Sequence, residues 1–478
     1  MTRAGAIAYW IVPSLVTVIL YWPGLTAWFQ KDDLIWLGLH QSVHSWRDLL
    51  WALFTPFAQG TIRTLSERIF FLSFFSIFEM DALPYRCLAF STHIANLLLI
   101  AVVCGKITCS RAAGFWAAVI YTVNSSLAVP LSWTAIYYEI LCSFCFLLNL
   151  WLLIRYAESG LRRYYIYHWI CFVLGFGVLE LNVVYPAIAA AYALCFAPRL
   201  LRKVLPMFLC SAAYTIVHFL VAPGQSSGPY KMFWDLSVFK TLWTYWLMAL
   251  GPARLSIIGI FPSFWRSAAT VLLIVGLIGF LLCKIRRRQW AVVFFAAWFL
   301  IVLAPLLPLR NHISEYYLTV PLVGLAMWGG WAVAEGLRAG IALRVFAGAM
   351  LTIYLSVSVL LSLAITRSFH ERSLRIESLV MGVMKHHRRH MDKAIVLRNV
   401  DAEMFRSAIY FAPFRIFGVV ETYLVPGPNA ELLSGREYEA TKDIFLDDAK
   451  MRALLVEHRA IVYDVRGENV VEVTSQYP

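Results

Sequence analysis

Carboxylates beside long apolar runs are the residues in this sequence best placed to do chemistry. Asp32 and Asp33 directly follow the first apolar run, and Glu139, Glu180 and Glu315 lie beside later ones. A carboxylate at membrane depth is costly unless it pairs or lines a wet cavity. The five residues therefore predict a polar pocket at the outer ends of membrane helices, with Asp32 or Asp33 available as a general base.

Four basic or imidazole side chains are candidates for binding an anionic group in the same pocket: Arg63, His93, Arg310 and His312. Fixed cations stabilise the negative charge that develops on a leaving group. The alternative for Arg63 is an interfacial anchor, and the alternative for His93, inside a predicted span, is a packing histidine. Nothing in the sequence requires a metal, although an all-carboxylate site would suit a hard divalent cation.

Five other carboxylates near the same helix ends have a simpler interpretation as helix caps or interfacial anchors: Asp48, Glu67, Glu79, Asp81 and Asp235. Acidic side chains are stabilising at the start of a helix, where backbone N–H groups lack partners. We therefore leave these five residues out of the predicted pocket.

The composition is that of a protein that crosses a membrane many times. Of its 478 residues, 60% are hydrophobic and 14% are charged, whereas soluble domains contain about 25% charged residues. A hydrocarbon core of ~30 Å requires spans of about 20 apolar residues. We place about eleven transmembrane helices near residues 5–22, 86–104, 112–128, 133–154, 165–180, 183–198, 204–222, 267–283, 290–304, 317–335 and 344–365.

The net charge of +13 marks topology and excludes a nucleic-acid partner. All of this excess lies in one alternating set of short connections between spans, while the segment 366–478 is neutral overall. Basic residues in short loops stay cytoplasmic, where they contact anionic membrane lipid. We therefore predict a multi-pass protein of the cytoplasmic (inner) membrane, with a cytoplasmic amino terminus and an exterior carboxyl-terminal domain.

The hydropathy pattern divides the chain into a membrane region, 1–365, and a small exterior α/β domain, 366–478. Two long outer segments of the membrane region, 23–85 and 223–266, contain half-apolar stretches that predict interfacial helices. Apolar periodicity predicts the elements of the domain. They are strands at 394–400, 416–425, 461–465 and 470–473, and helices at 368–388, 402–411 and 447–458.

Several short motifs, in their order and spacing, resemble the C-type (GT-C) glycosyltransferase superfamily. The likeness is greatest to the protein O-mannosyltransferases and the tetratricopeptide-linked O-mannosyltransferases. Asp32-Asp33 matches their acidic signature in the first outer loop, and Ile62-Arg63-Thr64-Leu65 resembles their Arg-Pro-Leu element. His93-Ile94-Ala95-Asn96 fits a His-x-x-Asn motif.

Further motifs continue in the same order along roughly residues 1–340: Trp133 through Glu139 to Leu141, Glu180 with Pro186, and Arg310 through Tyr317. Tyr137 and Leu179 stand where the family commonly has basic residues. These two departures leave the contacts to a donor phosphate open.

The resemblance implies an enzyme that moves a sugar from a polyprenyl-phosphate donor to a protein, lipid or glycan acceptor outside the cytoplasmic membrane. It implies inversion at the anomeric carbon, with Asp32 or Asp33 as the base. The remaining candidates would contact the donor phosphate or shape the sugar pocket: Arg63, His93, Glu139, Glu180, Arg310, His312 and Glu315. Superfamily members differ in whether they use a divalent metal, so no cofactor is assigned.

Two other classes of membrane protein are alternatives. A transporter or lipid flippase would carry ionisable residues near mid-span and two related halves, whereas the charges here cluster at outer ends. An O-antigen ligase or polymerase would be expected to carry a basic site in a large central outer loop. The central outer segment of this chain, 223–266, contains no histidine, so it does not favour a ligase or polymerase.

Overall fold

The computed structural model describes residues 3–57, 60–222, 228–259, 261–425, 442–467 and 469–476. Residues 223–227 and 260 of the second outer segment lie outside the described residues. The described α-helices are α1 (Arg3–Leu20), α2 (Trp22–Leu25), α3 (Asp33–Gly38), α4 (Trp46–Phe54), α5 (Phe70–Phe78), α6 (Ala82–Ile107), α7 (Arg111–Val123), α8 (Tyr137–Ser159), α9 (Arg162–Gly175), α10 (Tyr185–Phe196), α11 (Leu201–Val221), α12 (Ser237–Leu250), α13 (Ser263–Arg286), α14 (Ala291–Leu303), α15 (Leu322–Gly336), α16 (Ile341–His387), α17 (Ala402–Ser407) and α18 (Asp448–Val456).

A helix occupies each of the places where the sequence predicts a membrane span. Some are short: α7 ends at Val123 because Asn124 adopts an extended backbone and its side chain accepts from the Ser126 N–H at 2.9 Å. Five described helices are long and apolar enough to cross a membrane: Ala82–Ile107, Thr134–Ser159, Pro198–Val221, Ser263–Arg286 and Ile341–His387. The molecule is a helical, polytopic membrane protein with a small sheet near its carboxyl end.

Glycine lets the central helices approach each other at backbone distance. A Cβ atom at Gly330 of α15 would lie 2.3 Å from the backbone nitrogen of Ala117 in α7. A Cβ atom at Gly114 of α7 would lie 2.2 Å from the carbonyl oxygen of Ala101 in α6. Helices in lipid associate through such close packing, because lipid tails provide no hydrophobic driving force. Helices α6, α7 and α15 therefore form the packed centre of the bundle.

The first outer segment consists of short helices and one π-helical turn, Thr64–Ile69. Within it, α4 exposes Trp46, Leu50, Trp51 and Phe54. Its first turn is capped by Ser45, whose side chain accepts from the Asp48 N–H. A capped helix with an exposed aromatic and aliphatic face is the arrangement expected of an element that lies in the membrane interface.

A single long helix joins the bundle to the carboxyl-terminal domain. The sequence predicts a span at 344–365 and a separate helix at 368–388, but α16 continues unbroken for 47 residues from Ile341 to His387. Residues 360–372 contain neither Pro nor Gly, so nothing ends the helix where the apolar run stops. Hydropathy changes near Thr366, whereas helical propensity does not.

The domain contains a four-stranded sheet formed by β1 (Ala394–Arg398), β2 (Thr422–Leu424), β3 (Ala460–Arg466) and β4 (Asn469–Glu472). The strand order is β2-β1-β3-β4. Strand β1 is parallel to β2 and β3, and β4 is antiparallel to β3. Strands β1, β3 and β4 and helix α18 lie where the sequence predicts them, with shifts of a few residues at their ends.

The expected strand at 416–425 is wrong over its first half. Residues Pro413–Phe417 form a 3₁₀ turn that ends at Gly418, whose φ is +90°. The carbonyl oxygen of Ile416 accepts a hydrogen bond from Nε2 of Gln41 at 3.1 Å. This stretch therefore packs on the first outer segment, and β2 begins only at Thr422.

The close approach of α7 and α15 predicts different effects for two glycine substitutions. Gly330→Ala places a methyl group against the Ala117 backbone, so we expect a loss of about 1–3 kcal/mol of stability from overpacking. Gly348→Ala in α16 is the control, because a Cβ there meets no atom within 4 Å. Thermal unfolding midpoints of the two detergent-solubilised variants measure this difference. Equal midpoints would contradict the packing described for Gly330.

Candidate functional site

Asp33 is a structural carboxylate, buried at the first turn of α3 with no exposed surface. One oxygen accepts from the Gln30 N–H at 3.0 Å and the other from the Ala135 N–H. Burial raises the pKa of Asp33 to about 7, while the nearby positive charge of Arg86 and the two backbone hydrogen bonds oppose this rise. Both oxygens of Asp33 therefore accept backbone hydrogen bonds, which hold this turn against the segment before α8.

Asp32, by contrast, is half-buried and has no hydrogen-bond donor to its carboxylate among the described residues. Burial raises the pKa of Asp32, and the positive charges of Lys31 and Arg63 partly lower it. A carboxylate without a protein partner, within the electrostatic influence of two cations, is available to a bound molecule. The structure therefore distinguishes two adjacent residues that the sequence leaves equivalent.

Arg63 forms the centre of an ion cluster with Glu67 and Glu180. Its Nη1 donates to Oε1 of Glu67 at 2.8 Å, and its Nε donates to Oε2 of Glu180 at 3.0 Å. The guanidinium also lies over the ring of Tyr138, 4.0 Å from the ring centroid. These contacts raise the pKa of Arg63 against the opposing effect of burial, which is the largest influence. None of the hydrogen bonds to described residues uses Nη2 of Arg63.

Glu139 lies buried in the first turn of α8, next to this ion cluster. Its charge interacts with those of Arg63 and Glu180. Its Oε2 atom is buried and has no hydrogen-bond partner in the described part of the chain. A buried carboxylate oxygen without a partner is unusual and fits a polar ligand or water bound beside Arg63.

A second ion pair joins Arg254 to Glu315. Nη2 of Arg254 lies 2.6 Å from Oε1 of Glu315, and Nη1 of Arg254 donates to Oγ of Ser125 at 2.9 Å. Nζ of Lys31 lies 4.4 Å from the centroid of the Trp133 ring. The charge of Lys31 interacts with those of Asp32 and Glu315, so Lys31 links the two halves of the site.

Among the predicted residues, Arg63 and Glu180 are in contact, and Asp32 and Glu139 lie within the electrostatic influence of Arg63. Glu315 pairs with Arg254 and interacts with the charge of Lys31. His312 lies at the edge of this group. Its ring is 4.5 Å from that of Tyr230 between centroids, and its Nε2 is 3.2 Å from the hydroxyl of Tyr316. Tyr230 lies within the electrostatic influence of Arg63 and Asp32.

Two sequence candidates lie apart from the group. Arg310 pairs with exposed Asp235 at 3.1 Å and stacks on Phe233, 3.6 Å from the ring centroid. His93 has no exposed surface, and its Nε2 is 3.4 Å from Oγ1 of Thr122 inside the bundle. Their surroundings are those of a surface ion pair and a packing histidine.

Sequence reasoning missed three charged residues of the site: Lys31, Glu67 and Arg254. Glu67 was assigned to helix capping, and that interpretation is wrong because Glu67 lies in the Arg63 ion cluster. The spacing of four residues between Arg63 and Glu67 was the available signal. Asp81, in contrast, caps α6 by accepting from the Leu83 N–H. Nothing in the sequence near Arg254 indicates that it pairs with Glu315.

The geometry fits a metal ion poorly. In the described residues, no three His, Cys, Asp or Glu side chains are grouped so that they could hold one. The guanidinium of Arg63 occupies the place between Glu67 and Glu180 that a cation would otherwise take. The single guanidinium of Arg63 therefore already pairs with both carboxylates of this cluster and offsets one of their two charges.

Comparison with known proteins gives no match to a protein-family model or to a curated protein sequence. Solved structures do match. The oligosaccharyltransferase of Archaeoglobus fulgidus, tethered with an acceptor peptide, has a TM-score of 0.51 at 12% identity, covering 87% of this chain and 63% of that one. AglB from the same organism, in complex with an inhibitory peptide and a dolichol-phosphate, has a TM-score of 0.50 at 10% identity, covering 96% and 69%.

ArnT from Cupriavidus metallidurans, bound to undecaprenyl phosphate, has a TM-score of 0.49 at 10% identity, covering 99% of this chain and 98% of that one. The oligosaccharyltransferase has the GT-C fold, so the present chain has the fold of the superfamily that its motifs resemble. The particular likeness to O-mannosyltransferases stays a prediction.

The different environments of Asp32 and Asp33 predict different effects on stability. Asp33→Asn keeps one acceptor oxygen but turns an NH₂ group toward the second backbone N–H. A buried donor is then left unpaired, at a cost of about 1–3 kcal/mol. Asp32→Asn breaks no hydrogen bond to a described residue, so its thermal unfolding midpoint should match that of the unsubstituted protein. Equal destabilisation by both changes would contradict the assignment of Asp33 as structural.

Proposed function

We propose that this protein transfers a sugar from a polyprenyl-phosphate donor to an acceptor at the pocket around Asp32. The observation that carries the proposal is a partly exposed carboxylate with no hydrogen-bond partner among the described residues, within the electrostatic influence of Lys31 and Arg63. A base and fixed cations are the two kinds of group that such a transfer needs. The fold supports the proposal, since AglB, which has the same fold, is known in complex with a dolichol-phosphate.

In the proposed reaction, the carboxylate of Asp32 accepts the proton of the acceptor hydroxyl. The acceptor oxygen forms a bond to the anomeric carbon as the bond from that carbon to the phosphate oxygen breaks. The electron pair of the broken bond goes to the phosphate, and the configuration at the anomeric carbon inverts. A polyprenyl phosphate leaves as an anion, so no strong acid is required on its side.

Lys31 and Arg63 are the residues proposed to stabilise the departing phosphate. Lys31 presents an ammonium group above Trp133. Arg63 donates to described residues through Nε and Nη1 only, so we assign its Nη2 to a phosphate oxygen. Two carboxylates already offset the charge of Arg63, so Lys31 is the less neutralised cation. We therefore assign the main phosphate contact to Lys31, a residue absent from the sequence-based candidates.

The sugar would occupy the space lined by Glu139, Glu180, Tyr138 and the Arg254–Glu315 pair. Carboxylate oxygens accept hydrogen bonds from sugar hydroxyls, and the unpartnered Oε2 of Glu139 is one such acceptor. We further propose that this pocket lies on the exterior of the inner membrane. The carboxyl-terminal domain contacts the first outer segment, so that domain would be exterior too.

We expect Asp32→Asn to lower sugar transfer by 10²- to 10⁴-fold, which is about the contribution of a general base. The assay would follow label from a panel of polyprenyl-phosphate-linked sugars into membrane acceptors. Asp235→Asn is the matched control, because it removes an exposed carboxylate that pairs with Arg310 outside the pocket. Full activity of a folded Asp32→Asn variant would refute Asp32 as the base.

The dependence of transfer on pH tests the same assignment independently. The base acts as an anion, so the rate should fall as the pH drops through the pKa of Asp32. Because burial raises this pKa, the fall should occur above the usual range for an aspartate. Lys31→Met removes a charge that lowers the pKa, so the fall should move to higher pH.

Lys240→Met serves as the control for this shift, since Lys240 is exposed on α12 away from the ion cluster. Its pH profile should match that of the unsubstituted protein. A profile of Lys31→Met that moves to lower pH, or does not move, would contradict the electrostatic coupling between Lys31 and Asp32.

A further inference from the structure

A cavity lies between α13, α15 and α16 and extends to Ile120 and Tyr121 of α7 and Leu250 of α12. Its volume is about 430 Å³, within the range of small-molecule sites. Most of the lining is apolar, with Phe280, Leu343 and Met350 among the walls. The reaction proposed above uses none of these residues.

One end of this cavity is cationic. Lys284 and Arg287 line it near the end of α13, together with Glu335 near the end of α15. Lys284 is buried, with Nζ 3.2 Å from Oε2 of Glu335 and 4.2 Å from the ring centroid of Trp331. Glu335 neutralises one of the two cations, so Arg287 leaves a net positive charge at this end.

The cavity has the length of a lipid chain. From Leu273 to Arg287, both in its lining, α13 rises about 21 Å at 1.5 Å per residue. The hydrocarbon core of a bilayer is ~30 Å thick, so one leaflet contributes about 15 Å of acyl chain. A distance of about 21 Å therefore spans that chain and reaches the headgroup region. Gly279 lies on this stretch of α13 and leaves room beside it, because a Cβ there meets no protein atom within 4 Å.

We propose that this cavity is a binding site for an anionic phospholipid, such as phosphatidylglycerol. The phosphate would lie beside Arg287 and Lys284, and an acyl chain would extend along α13 toward Leu273. Basic pockets between membrane helices are suited to anionic headgroups. In an apolar cavity of a membrane protein, an acyl chain replaces contacts that an empty space would forfeit.

The position of the cationic end argues against the sugar donor as the occupant. Glu315 of the reaction pocket precedes the start of α15, whereas Glu335 is at the other end of that helix. The two ends of α15 are about 21 Å apart. A phosphate at Arg287 would therefore lie far from Asp32, and the proposed lipid is distinct from the sugar donor.

Native mass spectrometry of the full-length protein in detergent, with added dioleoyl-phosphatidylglycerol, tests the proposal. Arg287→Ala should weaken binding about fivefold, the equivalent of ~1 kcal/mol for one basic residue. Arg286→Ala makes the same charge change outside the lining and should weaken binding less. Equal losses in the two variants would indicate diffuse attraction and would overturn the site.

A steric change tests the chain-binding part without altering charge. Gly279→Phe should fill the cavity and abolish phosphatidylglycerol binding, because a Cβ at Gly279 meets no protein atom within 4 Å. Gly348→Phe is the control, since Gly348 is equally open but is not part of the lining. Unfolding midpoints of both variants establish that they are folded.

Two competition results would overturn the proposal. One is equal binding of dioleoyl-phosphatidylcholine, which would remove the role of the cationic end. The other is displacement of phosphatidylglycerol by a polyprenyl phosphate but not by a second anionic phospholipid, which would assign the cavity to the carrier. Retained binding in folded Gly279→Phe together with unaltered binding in Arg287→Ala would also exclude this cavity. None of these outcomes depends on sugar transfer.

Discussion

Charged groups near the bilayer are costly unless they are paired or line a polar cavity, and this constraint organises the site. An isolated ion removed from water costs several kcal/mol, and a buried pair is stable only with good geometry. Arg63 meets this requirement with Glu67 and Glu180 at 2.8 and 3.0 Å. Its partners come from the π-helical turn and from the segment before α10, and Tyr138 of α8 lies beneath it. The ion cluster therefore holds three separate parts of the chain in one arrangement.

The same constraint explains why adjacent aspartates take different roles. Asp33 is buried, and two backbone N–H groups satisfy its carboxylate. Asp32 lacks such donors among the described residues and stays beside Lys31 and Arg63. The carboxyl-terminal domain supports this loop, because the carbonyl oxygen of Ser407 accepts from the Lys31 N–H at 2.8 Å. The long helix α16 brings the domain to the loop that presents the proposed base.

Sequence patterns predicted the helices well and the site in part. Apolar runs near 20 residues are set by bilayer thickness, so each expected span has a helix. The end of α16 was missed because hydropathy reports the membrane boundary and not the helix end. Glu67 was misassigned because a carboxylate in a first turn can cap a helix or pair with a charge, and local sequence does not distinguish these. Arg254 and Glu315 are 61 residues apart, so their contact follows only from tertiary packing.

By itself, the sequence determined the membrane class, the positions of the spans and the concentration of carboxylates at one set of helix ends. These properties depend on composition and on periodicity along the chain, which a single sequence contains in full. Tertiary structure alone decided that the Asp32 carboxylate lacks a hydrogen-bond partner among the described residues while that of Asp33 accepts two backbone hydrogen bonds, and that Lys31 lies over Trp133. Those distinctions depend on which backbone N–H groups and charges approach from distant segments, and Ala135 and Arg63 reach the loop only when the bundle is assembled.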